Sequence, residues 1–117
     1  PWYVDNEPEN PQINYFRNPM AGANELGKAM KAMENALPKI TAPALVIQGD
    51  GDPTVHPNSA HRIFELLGSE SKELIMLHRD RHGIVNGPGS HEVFERVGRF
   101  MHTLAEEISE PPVSEAV

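Results

Sequence analysis

Two short apolar runs, each opening onto a cluster of glycine and charged residues, constrain this chain more than its totals do. Ala44-Leu45-Val46-Ile47-Gln48 follows Pro43 and leads into Gly49-Asp50-Gly51-Asp52-Pro53-Thr54-Val55. Leu74-Ile75-Met76-Leu77 leads into His78-Arg79-Asp80-Arg81-His82-Gly83. Runs this short, bounded by turn residues and lacking polar alternation, suit strands buried on both faces of a parallel sheet.

Helical periodicity surrounds them. Leu26, Met30, Met33 and Leu37 recur on one face of a helix that Asn24 can cap and Pro38 terminates. Helical spacing of this kind is what packing requires, so the stripe reads as core rather than as a binding surface. Asn58 or Ser59 can cap a second helix, with Ala60, Ile63, Phe64 and Leu67 on a shared face and Gly68 closing it. A third helix, capped by Ser90, carries Val93, Val97, Phe100, Met101, Leu104 and Ile108.

The order helix, strand, helix, strand, helix argues for an α/β fold with right-handed crossovers. Two strands alone leave open edges, so the pattern reads as part of a larger sheet. The expectation is that another chain, or a second copy forming a homo-oligomer, covers an exposed edge. The proline-rich opening reads as an irregular connector, and residues after Pro111 as a fraying tail. This divides the chain into 1–36, 37–110 and 111–117.

Charge narrows the partners. The net charge is −7, and Asp5, Glu7 and Glu9 with Glu106, Glu107, Glu110 and Glu115 account for all of it. Between them the body is neutral, with no basic stripe for a phosphate backbone, so nucleic acid is not an expected partner. No apolar run approaches the roughly 18–20 residues of a membrane span. Cysteine is absent, which excludes disulfides and thiolate metal sites. No charged-then-apolar leader occurs in the sequence, and a cytoplasmic location is the expectation.

In open α/β sheets, ligands sit beyond the carboxyl ends of the strands, where both polar clusters fall. If the strands are neighbours, a carboxylate from one loop can reach an imidazole from the other. A carboxylate on Nδ1–H fixes the tautomer and leaves Nε2 as a general base. These residues also suit plain turns, with Asp50 or Asp80 doing no more than capping loops.

The segment from Leu37 to Val55 resembles the part of α/β-hydrolases in which a strand after I-x-x-P ends in G-x-x-D-x-x-V. Arg81-His82-Gly83 after the second strand resembles the catalytic-histidine loop of that superfamily. Pro38-Lys39-Ile40 and Ser71-Lys72-Glu73-Leu74-Ile75 are most similar to carboxylesterases and monoacylglycerol lipases. The resemblance implies a C-terminal portion of an α/β-hydrolase fold, with residues 1–36 as a cap remnant. It implies Asp52 as triad acid, His82 as triad base, a small-molecule or lipid ester as substrate, and no cofactor or metal. The pattern departs in one respect. No G-x-S-x-G occurs, and the serines at 59, 69, 71, 90, 109 and 114 lack a strand-to-helix elbow. Family order is nucleophile, acid, histidine, so the serine is expected upstream of Pro1.

Rival readings remain at this point. Asp50-Gly-Asp52-Pro-Thr54-Val55 satisfies the D-x-D-x-T-V signature of haloacid-dehalogenase-like phosphatases, with Asp50 as nucleophile and magnesium bound. The later lysine and acidic pair of that family have no good counterpart here. A calcium loop fails at Val55 and His61. His78, Asp80 and His82 form a conceivable metal set. His56, His61, His91 and His102 read as solvated. A non-catalytic interaction module with the hydrolase shape is the other class.

Overall fold

The computed structural model describes residues 2–5, 7–8 and 11–109; the tail expected to fray, 111–117, lies outside the described residues. Its centre is a parallel pair, β3 (Ala44–Gly49) and β4 (Lys72–Leu77), registered from Ala44 opposite Lys72 to Gly49 opposite Leu77. β-Branched Val46, Ile47 and Ile75 suit the pleat. Backbone bonds extend the ladder at both ends, from Ala44 N to Ser71 O and from Asp50 N to Leu77 O. The crossover is α2 (Asn58–Leu66), which packs on both strands, and α3 (Ser90–Ser109) follows β4. The α/β architecture anticipated from the alternation is therefore present.

In front stands α1 (Met20–Ala36), preceded by a feature the sequence reading missed. The opening is not merely an irregular connector: β1 (Tyr3–Asp5) and β2 (Arg17–Pro19) pair antiparallel, Tyr3 opposite Pro19. Pro19 is tolerated because it ends the strand and enters the helix with φ −69°, the value its ring imposes. Met20 N–H then donates to Trp2 O, satisfying a helix-start donor that has no intrahelical partner. Asn24 consequently lies inside α1 and caps nothing. α1 ends at Ala36, just before Pro38, as expected; Pro38 then sits in the first turn of a short 3-10 segment, Leu37–Lys39, where its missing N–H costs no bond.

The other cap assignments are also corrected. Asn58 and Ser59 are the first residues of α2, Pro57 holds the N-cap position, and His56 does the capping. His56 Nδ1 accepts from Asn58 N–H at 3.2 Å, while its carbonyl accepts from Ser59 N–H at 2.8 Å. At the far end, Lys72 Nζ donates to the carbonyls of Phe64 and Leu67 at 2.8 and 2.7 Å, taking up acceptors the helix leaves open. Gly68 follows for reasons of space rather than left-handed geometry: a Cβ there would collide with the Pro38 carbonyl. Ser90 is the first residue of α3, entered through Gly89 at φ +83°.

The core is small: Leu37, Ala60, Leu67, Leu77 and Val93. A fully buried Leu or Val contributes roughly 1.5–3 kcal/mol. Apart from Gly49 and Leu77, β3 and β4 are half-buried or exposed, not enclosed on both faces, because no third strand flanks them among the described residues. The α1 stripe departs from expectation in the same way. Leu37 is buried, but Leu26, Met30 and Met33 are exposed, as are Val97, Met101 and Ile108 on α3. Among the described residues those faces are at most partly covered: Met30 and Met33 share a cavity with Val55, Ile63 and Leu66. No helix among the described residues is long and apolar enough to cross a membrane.

Candidate active site at the ends of β3 and β4

The two loops carrying chemistry meet because the strands that deliver them are adjacent and tightly closed at their ends. Gly51 N–H donates to Arg79 O at 2.9 Å. At Gly49, a Cβ would stand 2.8 Å from that same carbonyl, so only glycine permits this approach.

Asp52 folds its own loop into a turn. Oδ1 accepts from Thr54 N–H at 2.8 Å and Val55 N–H at 2.9 Å, the local bonding that aspartate favours. Oδ2 then faces the other loop and lies 2.8 Å from His82 Nδ1. The Asp52 side chain is 4% exposed and that of His82 51%. Burial pushes the Asp52 carboxyl up, but bonds from His82 and from Val55 and Thr54 N–H outweigh it and hold it below its ordinary value. An ionised carboxylate only accepts, so Nδ1 carries the proton and Nε2 of the neutral ring is left with a basic lone pair. Nε2 has no hydrogen-bond partner among the described residues.

Two cavities meet at His82. One, about 230 Å³, is lined by Val46, Ile47, Val55, Ile63 and Ile84 together with Gln48 and Asp52. The other, about 370 Å³, is lined by Glu7, Pro8, Asn14, Tyr15, Asn18 and Thr54. The first is mainly apolar and the second mainly polar.

The remaining candidates fall elsewhere. Asp50 pairs with His78, Oδ2 to Nδ1 at 3.1 Å, and its Oδ1 accepts from Arg79 N–H at 3.2 Å. The bond from His78 holds the Asp50 carboxyl below its ordinary value. Neither Asp50 nor Asp80 bonds to His82 among the described residues. His78 and His82 are thus engaged by different carboxylates, and His78, Asp80 and His82 do not converge. Among the described residues no group of three or more His, Asp or Glu is placed to hold a metal ion. His91 and His102 are largely exposed on α3, as expected, with Glu95 and Glu106 at 3.6 and 3.3 Å. Ser69 is buried and donates to Ile40 O, while Ser109 donates to Ala105 O. Ser59 and Ser90 begin helices and do not sit on a strand-to-helix elbow.

Sequence reasoning passed over what holds the His82 loop. Arg79 donates to Glu92 at 2.6 Å and to His78 O at 2.9 Å, and Arg81 donates to Asn86 at 3.1 Å. Gly87 at φ +70° and Gly89 at φ +83° lie against the guanidinium groups of Arg81 and Arg79. The signal was available in Asn86-Gly87-Pro88-Gly89, a run that marks left-handed turns.

Comparison with known proteins identifies the family. The family described as serine aminopeptidase, S33, matches residues 1–89. A thermostable monoacylglycerol lipase of Bacillus sp. (strain H-257) is 30% identical over 88 residues, 70% of this chain. The chain spans only 35% of the length of that lipase.

Proposed function

This chain belongs to the S33 serine aminopeptidase family, whose fold is that of the α/β-hydrolases, and from that premise we propose that it supplies the acid and base of a carboxylic ester hydrolase. Membership removes the reason to read Asp50 and Asp52 as a magnesium-dependent phosphatase pair. In the proposed reaction a serine preceding Pro1, with its oxyanion donors, completes the site. His82 Nε2 takes the serine proton as Oγ bonds to the acyl carbon. It returns that proton to the alcohol oxygen as the ester C–O bond breaks. Water repeats the sequence to release the acid. Asp52 orients the ring and stabilises the imidazolium without being protonated itself.

One observation carries the choice of substrate: His82 is the wall common to an apolar and a polar cavity. An ester with an acyl chain on one side of the reacting carbon and a hydroxylated alcohol on the other matches that division. The name of the lipase relative points the same way. Residues 1–36 then act as a cap remnant, contributing Asn14, Asn18 and Tyr15 to the polar side. The free edge of the β3–β4 pair takes a further strand, from the rest of the hydrolase or from a second copy.

A fluorophosphonate probe tests this in the full-length protein. We expect one adduct, on a serine preceding Pro1, and faster turnover of a 1-monoacylglycerol than of an amino-acid anilide. An adduct on any serine of residues 1–117, or preference for the anilide, contradicts it. Full-length protein unlabelled by the probe and inert toward both substrates supports a non-catalytic module instead.

A further inference from the structure

The Asp52 turn is held from two sides, and only one of them belongs to Asp52. Val55 N–H donates to Asp52 Oδ1 at 2.9 Å, and Val55 C=O accepts from Gln48 Nε2 at 2.7 Å. Gln48 is half-buried in β3, opposite Met76, at the end of an otherwise apolar run. A polar group there is costly unless it is bonded. Its amide spans seven residues to reach a carbonyl that no helix or strand satisfies. Gln48, Val55 and Asp52 also line the apolar cavity beside His82.

We infer that Gln48 is a positioning residue for the Asp52–His82 pair, an inference that rests on the catalytic reading of that pair. Removing the donor leaves the Val55 carbonyl unpaired at the edge of a cavity lined mainly by apolar residues. The Val55 segment turns to bring that oxygen to water, and its N–H leaves Asp52. The carboxylate then keeps a single backbone donor, from Thr54, and its alignment on His82 Nδ1 loosens. A displacement on the order of 1 Å at a catalytic pair costs up to about a hundredfold in rate.

The test uses the full-length protein with Gln48→Met, which keeps length and loses the donor, and Gln48→Glu, which keeps shape but sets an acceptor against the Val55 carbonyl. Asp52→Ala is the control. We expect both Gln48 variants to lower kcat roughly ten- to a hundredfold with KM within about threefold. The acidic limb of the pH–rate profile should move to lower pH, because a loosened carboxylate stabilises the imidazolium less. A fall in thermal midpoint with kcat and the acidic limb unchanged would mean that Gln48 only stabilises the fold. A rise in KM with kcat unchanged would make it a cavity wall. Either overturns the inference while Asp52→Ala remains inactive. An active Asp52→Ala overturns the catalytic reading itself, and this inference with it.

Discussion

Two carboxylate–imidazole pairs stand where β3 and β4 end, built from the same residue types, the aspartates two positions apart after β3 and the histidines four apart after β4. Asp52–His82 and Asp50–His78 have Nδ1–Oδ2 separations of 2.8 and 3.1 Å. Their surroundings differ far more than their lengths. The Asp52 side chain is 4% exposed and spends Oδ1 on two backbone donors, whereas that of Asp50 is 47% exposed. His82 divides two cavities, while the His78 side chain is fully exposed at a cavity of about 210 Å³ lined also by Asp50, Gly51, Arg79 and Asp80. An ion pair in water is worth little and holds no particular geometry, and one with a buried, fully bonded partner is fixed. Proximity of aspartate and histidine is therefore a poor marker of a site, and burial with full bonding of the carboxylate is a better one.

The largest effect that can break this comparison is in turnover of a short p-nitrophenyl ester by the full-length protein. His82→Ala should lower kcat by about a millionfold and Asp52→Ala by about ten-thousandfold. His78→Ala and Asp50→Ala should each stay within about tenfold, far short of removing a triad member. Comparable losses at both pairs would mean that the exposed pair also acts on the substrate.

Much of this contrast was legible in the residues. The apolar runs ending in Gly49–Val55 and His78–Gly83 placed both loops, and the resemblance to α/β-hydrolases, not spacing alone, pointed to Asp52 and His82. What could not be read was set by packing and by chain reversal. The β1–β2 hairpin depends on Met20 meeting Trp2 O, a contact without local periodicity. The Met30–Met33 face carries the pattern of a core, yet periodicity records which face is apolar and not whether anything covers it. Gln48 looked like the polar end of a strand, and its partner seven residues on is visible only once the turn is built.

Stability against pH gives a smaller separation. The Asp52 carboxyl is lowered in the fold, so its contribution is present in full above its unfolded value, near 3.8, and is lost as pH falls through the lower folded value. The difference in urea midpoint between wild type and Asp52→Asn should hold at neutral pH and shrink below about pH 4. Asp50→Asn should show a weaker dependence, because its bond to His78 is screened by water. Equal pH dependence in both variants would erase the distinction between the pairs.

The smallest effect concerns the helix that follows the Asp52 loop. Asn58→Ala and Ser59→Ala should each change stability by less than about 0.5 kcal/mol, since neither side chain caps α2. His56→Ala should cost more, approaching the ~0.5–2 kcal/mol of a lost cap. Thermal midpoints in the reverse order would return the cap to Asn58 or Ser59.

Most direct for the central claim is a double-mutant cycle of Asp52→Ala and His82→Ala in the full-length protein, read as kcat on a short-chain ester. If Asp52 acts only by holding and charging His82, the double variant should be no slower than His82→Ala alone, because residues acting as a unit are strongly non-additive. Losses that multiply would show that Asp52 and His82 serve the reaction independently, and would contradict the assignment of acid and base to one pair.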